Sequence, residues 1–213
     1  IRGAPRPYLH SKLMCWVALD RALEMRDLLE PGEARLERWT GAREAIRHAI
    51  EERGWSDTLG SFRQSLDGDD LDAASLMIPI VGFLPARDVR VRATIRAVEQ
   101  HLTDDNGLVF RYHSDDGLAD GEGTFLLCTF WLAHALALAG ETGRAREVFE
   151  RAVAFVNDVG LLSEEVDPDS GELLGNFPQA FSHVGLVTAA WAIHQAEQGK
   201  AVVIGAGEES ERR

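Results

Sequence analysis

The feature that most constrains this chain is an alternation between two kinds of helical segment. Segments at about 10–29, 71–84, 122–140 and 177–198 are apolar over much of their circumference, with runs such as LMCWVAL, ASLMIPIVGFL, FLLCTFWLAHALALA and VGLVTAAWAI. Segments at about 35–53, 88–102 and 143–158 are amphipathic. In the last of these, Ala145, Val148, Phe149, Ala152 and Val156 share a stripe, with Arg144, Arg146, Glu147 and Arg151 mostly off it. A helix that is apolar all round must lie inside a protein, whereas an amphipathic one faces water on one side. The order along the chain is therefore inner, outer, inner, outer.

The connections alternate as well. Inner-to-outer links are short (EPGEA, PARD, GETG) and outer-to-inner links are long, among them GWSDTLGSFRQSLDGDD and TDDNGLVFRYHSDDGLADGEG. In an array of antiparallel hairpins every link of one type lies at the same end, so the long loops are expected to meet on one face. Loops of this length in a compact domain are uncommon without a function, and their Trp, Phe, Tyr and Arg content argues against disorder. The pattern predicts an all-α chain, an α-solenoid or part of an α/α toroid. A tetratricopeptide-like scaffold would show a fixed repeat length and short turns at both ends, and neither is present. A closed toroid of six hairpins needs roughly twice this helix count, so the chain is expected to cover the C-terminal half or more of one over residues 1–200, with 201–213 as a charged tail.

Composition narrows the function. The formal charge of −13 argues against nucleic acid, because phosphate contacts need clustered Lys and Arg. A neutral polar substrate is compatible with that balance. No stretch is long and apolar enough for a clear membrane span. Cys15 and Cys128 each fall in an apolar helical run, predicting two buried thiols in a reducing, cytoplasmic compartment. His10, His134 and His183 have no Cys, His or carboxylate spacing that supports a metal, and no phosphate loop or nucleophile triad signature appears. No cofactor is expected.

Residues 160–175 read GLLSEEVDPDSGELLG. The second half is turn chemistry, with Pro168, Ser170 and Gly171 favouring a reversal. Glu164 and Glu165 sit beside leucines, either as idle surface charge or as carboxylates presented to a cleft. Adjacent carboxylates directed into one small cleft would raise each other's pKa, so one of the two is expected to turn away or bind a neighbouring group.

Several blocks together carry a family resemblance: IRGAPRPYLHSKLMCWVALDRA, GSFRQSLDGDDLDAASLMIPIVGFLP, GLVFRYHSDDGLADGEGTFLLCTFWL and GLLSEEVDPDSGELLGNFPQAFSHVGLVTAA, in that order. The chain resembles the C-terminal part of the catalytic domain of glycoside hydrolase family 15, the glucoamylase, glucodextranase and bacterial trehalase group, over about residues 1–198. The resemblance implies an (α/α)6 barrel with the active site at the mouth formed by the long loops. It also implies cleavage of terminal α-glucosidic bonds with inversion by two carboxyl groups. Inversion requires one protonated acid for the leaving oxygen and one carboxylate to deprotonate water, roughly 6.5–9.5 Å apart.

Carried over residue by residue, the resemblance makes Glu164 the general base, with Asp167 and Gly171 in the following turn and Phe181–Ser182 as the aromatic-Ser pair that opens the last inner helix. The acid would be the Glu of a Trp-Glu pair immediately ahead of IRG, one residue upstream of Ile1. A missing N-terminal part of the same protein is thus an expected partner, and the fragment alone is expected to be inactive. Arg111 and Tyr112 align with the family's Arg-Tyr pair on a substrate loop. A guanidinium forks hydrogen bonds to adjacent hydroxyls and a tyrosine offers a flat face with a polar tip; the alternative for Arg111 is an ion pair with Asp115 or Asp116.

Glu122, at the start of the inner helix GEGTFLLCTFW, either caps that helix or binds sugar. Trp16 and Phe181 are candidates for stacking on a pyranose ring, against a plain core role. Arg63 and Asp72 are candidate hydroxyl binders in the first long loop. Glu165, expected to turn away from the cleft or bind a neighbouring group, is a candidate supporting group, as are Ser182 and His183. FSH stands where fungal members have a Trp-Ser-Tyr-type sequence, so trehalose is the runner-up substrate to α-glucans. A non-catalytic helical-array scaffold or carbohydrate-binding protein is the rival of another class.

Overall fold

A computed structural model describes residues 5–113 and 122–200. The described part contains α1 (Leu9–Glu24), the short α2 (Arg26–Leu29), α3 (Glu33–Arg53), the strands β1 (Trp55–Ser56) and β2 (Ser61–Phe62), and a 3-10 turn (Ala73–Leu76). That turn runs into α4 (Met77–Ile80), followed by α5 (Val89–His101), β3 (Thr124–Phe125), α6 (Leu126–Leu138) and α7 (Thr142–Val153). The strands β4 (Glu165–Val166) and β5 (Leu173–Leu174) then lead to α8 (Ala180–Glu197). Ile1, the alternative partners Asp115 and Asp116, and the tail 201–213 lie outside the described residues.

The inner segment α6 behaves as its composition dictates. It has no polar face, and Leu126, Cys128, Phe130, Leu132 and every residue from Ala133 to Ala137 are buried. Its neighbour α7 buries only the stripe Ala145, Val148 and Ala152. Between α6 and α8 the helices approach closely at Gly185, where a Cβ would sit 3.0 Å from Leu127 Cδ1 and 3.1 Å from Phe130 Cβ. On the far side of the core, Trp16 packs edge-on against Phe83 with ring centroids 4.9 Å apart.

Four sequence expectations are corrected. Segment 71–84 is not one helix: Asp72 caps a 3-10 turn by accepting the Ala74 N–H at 2.7 Å, and one α-turn containing Pro79 follows. The helix expected from residue 122 starts at Leu126, because Thr124 and Phe125 are drawn into a sheet against Val166 and Glu165. Cys15 is exposed, unlike buried Cys128. Finally, α1 and α8 are not covered all round in the described array: α1 buries Leu9, Leu13 and Trp16, while Val184, Val187 and Trp191 of α8 are exposed.

The long connections do meet, and main-chain bonds join them. Leu9 donates to Gln64 O at 2.8 Å and Ala73 to Arg111 O at 2.9 Å, so the start of α1 is tied to the first long loop and that loop to the second. Phe125 pairs with Glu165 in the three-stranded order β3-β4-β5, and the Asn106 amide donates to Pro168 O at 2.9 Å, which ties the second to the third. The described parts of the loops thus satisfy one another's backbone polar groups and join into one rim.

Candidate active site

A cavity of about 450 Å³ opens within this rim. Tyr8, His10 and Ser11, from the start of α1, line one part of it, and Gln64, Asp72 and Ala74 another. Arg111 comes from the second loop, Glu164 from the third, and Gln179, Phe181 and Ser182 from the opening of α8. The apolar part is Phe125 with Leu127, Cys128 and Trp131, which share a face of α6 through i, i+3 and i+4 spacing.

Asp72 is 7% exposed. Burial pushes its carboxyl pKa up, opposed by the Ala74 N–H it accepts, by the Arg111 charge and by a hydrogen bond from Gln64. Among the described residues no carboxylate lies within ion-pair distance of Arg111. Its guanidinium instead sits 5.1 Å from the ring centroid of Tyr112 and 5.9 Å from that of Phe125. Two aromatic faces and one main-chain bond therefore hold a cation at the cavity wall. Burial, reinforced by Arg111 and opposed by Asp72, lowers the His10 pKa, which favours a neutral imidazole with one donor and one acceptor.

The adjacent glutamates separate as strand geometry requires, since successive side chains point to opposite faces. Glu164 lines the cavity, and its Oε2 accepts from the Asn176 backbone N–H at 3.0 Å and from Asn176 Nδ2 at 2.7 Å. Glu165 does not line it; its Oε2 accepts the Gly123 N–H at 2.9 Å. Burial raises the Glu165 pKa, and the charges of Glu122 and Glu164 add to that rise against the Gly123 bond. The turn between β4 and β5 is closed by Asp167, whose Oδ1 accepts from the backbone of Asp169 at 3.1 Å and of Ser170 at 2.7 Å.

Ser182 Oγ, buried, donates to Ser163 O at 2.7 Å and so fixes the opening of α8 to the hairpin. His183 Nε2 accepts from Leu162 N–H at 3.3 Å while Nδ1 lies 2.7 Å from Gln179 O, a pair satisfied by the tautomer with its proton on Nδ1.

The other candidates lie elsewhere. Trp16 is buried against Phe83 and has no share in the cavity. Arg63 braces its own loop through Gly68 O at 3.2 Å and an ion pair with Asp69 at 3.3 Å. Tyr112 is buried behind Arg111, and Glu122 precedes β3 without capping α6. The sequence reading passed over Trp131, Gln64, Gln179 and Asn176. The sequence signal for Trp131 is its 127/128/131 spacing on a helix whose only other polar side chains are Thr129 and His134. Among the described residues no group of three or more His, Cys, Asp or Glu is arranged to hold a metal, and no described helix is long and apolar enough to cross a membrane.

Helical hairpins around a rim of bonded loops, with a carboxylate, a cation and aromatic faces in one cavity, define a segment of an (α/α)6 toroid. A bacterial glucoamylase complexed with acarbose has the same fold, with a TM-score of 0.75 at 15% identity, over 91% of this chain and 34% of that one. Residues 1–191 match the profile of glycosyl hydrolases family 15, and the chain belongs to that family. It is 42% identical over 201 residues to a trehalase of Mycolicibacterium smegmatis, covering 93% of this chain and 30% of the relative. With a trehalase of Thermoplasma volcanium it shares 40% over 195 residues, covering 92% and 31%. The chain thus spans about a third of the length of these relatives.

Proposed function

We propose that the protein containing this chain hydrolyses a terminal α-glucosidic bond with inversion, and that Glu164 is its general base. The observation that carries this reading is the selective placement of Glu164. Of two neighbouring glutamates, it alone reaches a cavity that also holds Arg111, Asp72, Gln64 and an aromatic wall. Such a set suits a neutral, hydroxyl-rich ring: the carboxylate and guanidinium take the hydroxyls, and Trp131 or Phe181 takes the apolar face of the ring.

In the proposed step Glu164 removes a proton from water as the water oxygen attacks the anomeric carbon, on the face opposite the departing oxygen. The bond from that carbon to the leaving oxygen breaks, and the leaving oxygen takes a proton from the acid. The α-linked sugar is released as the β anomer. The acid is expected from the Trp-Glu pair that the family resemblance puts ahead of Ile1. Arg111, Asp72 and Phe181 are proposed as sugar contacts.

A second reading, trehalose as the substrate, is favoured by the curated relatives named trehalase at about 40% identity. The test uses the full-length protein and its Glu164→Gln form on trehalose, maltose and dextrin oligosaccharides, with the product anomer followed by NMR. A general base contributes about 10²- to 10⁴-fold, and a fall in kcat of that size with β-glucose as first product is expected. Undiminished turnover in the Gln form removes Glu164 from the mechanism, and no turnover of any glucoside by the parent protein favours a scaffold. Preference among the substrates separates trehalose from glucan.

A further inference from the structure

We infer that Asn176 is the positioning residue of the catalytic base, holding one oxygen of Glu164 so that the other is left for the water. This rests on the assignment of Glu164 as base and extends it to a residue outside the Glu-Glu-turn pattern.

Glu165 pairs with Leu174 and Val166 with Leu173, so the same register carried one residue back sets Glu164 across from Gly175. Gly175 has φ +73°, and a Cβ there would lie 2.9 Å from both the Cβ and Oε2 of Glu164. A side chain at 175 would therefore occupy the space in which the carboxylate lies. Because the position is glycine, the carboxylate folds across the strand and meets the next residue.

Asn176 then grips it three ways. Its carbonyl accepts the Glu164 N–H at 3.0 Å, fixing the main chain. Its own N–H and its Nδ2 both donate to Glu164 Oε2, at 3.0 and 2.7 Å. Among the described residues Oε1 has no hydrogen-bond partner. Two donors converging on one oxygen restrict rotation of the carboxylate plane. A base held this way needs no reorganisation to meet a water at a fixed anomeric face, and such orientation is worth more to the rate than to ground-state binding.

A purely structural asparagine would affect folding, or all kinetic constants alike. A residue acting through Glu164 has a different signature. In the full-length protein, Asn176→Ala keeps the backbone donor and loses the shorter side-chain bond. One charge-assisted bond lost at the base predicts kcat lower by about 10- to 100-fold, with KM within about 2-fold on the best glucoside. Asn176→Asp, of the same shape but with no side-chain donor, is expected to lose at least as much and serves where the alanine form does not fold.

The deciding measurement is a double-mutant cycle. In a Glu164→Gln background, Asn176→Ala should lower the residual kcat by less than about 2-fold, because its target is already gone. An equal fractional loss in both backgrounds overturns the inference, and so does an unchanged kcat in folded Asn176→Ala and Asn176→Asp. Full turnover by Glu164→Gln alone refutes the base assignment instead, a result distinct from either.

Discussion

At Asp72 the demands of folding and of binding oppose each other. Burial raises the carboxyl pKa, while the Ala74 N–H, Arg111 and Gln64 favour its charged form. Unfolded, an aspartate titrates near 3.8, and folded Asp72 titrates above that. The folded chain therefore holds this proton more firmly. The stabilising contribution is fully present below the unfolded pKa and is lost as pH rises through the folded one. Asp72→Asn, which keeps an acceptor for the Ala74 N–H, should therefore gain on the parent as pH rises. Thermal melts at about pH 4 and about pH 7 check this, with the larger advantage in midpoint expected at the higher pH. If Asp72 binds a sugar hydroxyl, the same variant should raise KM roughly 10-fold through loss of a charge-assisted bond. A variant that melts higher and binds worse is the expected outcome of a buried charge retained for its ligand.

At the scale of elements, the packing of α8 on α6 sets the cavity wall, because α6 supplies Trp131 and Leu127 while α8 supplies Phe181 and Ser182. Gly185 lies in that contact, where an added Cβ would come within 3.0 Å of Leu127 Cδ1. A glycine inside a helix costs about 0.5–1 kcal/mol relative to alanine, and here it allows the two helices to approach. Gly185→Val should overpack the contact by about 1–3 kcal/mol and lower the melting midpoint by several degrees, measured by circular dichroism. It should also raise KM as the wall shifts outward.

The same scale explains what the sequence made legible. The run FLLCTFWLAHALALA has no polar side, so α6 was readable from composition, as was α7 from its Ala145, Val148 and Ala152 stripe. Segment 71–84 departs from the helix its apolar run suggests because of Asp72 and Pro79. A proline lacks the N–H that continues a helix, and Asp72 uses its side chain to start a tighter turn. Glu122 was put on a helix because the sheet partners that recruit Thr124 and Phe125 lie some 40 residues away in sequence. Asn176 escaped notice for the same reason: its contact with Glu164 exists only once the hairpin register is set. The family resemblance alone points to Glu164 rather than Glu165, since the neighbourhood by itself favours an idle surface loop; in the structure Glu164 is the one that lines the cavity.

For the molecule as a whole, the excess of acidic side chains and the character of the cavity make different statements. The net charge of −13 governs solubility and self-repulsion, whereas a neutral glucoside carries no charge for that field to steer. The expected result is a KM that changes less than about 2-fold as ionic strength rises from roughly 0.05 to 0.5 M, checked by initial rates. A charged glucoside offered as substrate should respond strongly over the same range. The described helices leave Val184, Val187 and Trp191 uncovered on α8, and the chain spans about a third of the relatives it matches. These kinetic expectations therefore concern the full-length protein.

The small hairpin that carries the two glutamates has a consequence for how this chain can vary. Neighbouring positions on a strand face opposite ways, so inserting one residue ahead of Glu164, with the flanking strands held, would move each glutamate one place along. Glu164 would then lie against Gly123, and Glu165 would take the buried place of Val166, away from Asn176. In this chain, then, the count of residues in one short turn-bearing stretch decides which carboxylate faces the cavity and which is bonded to the backbone.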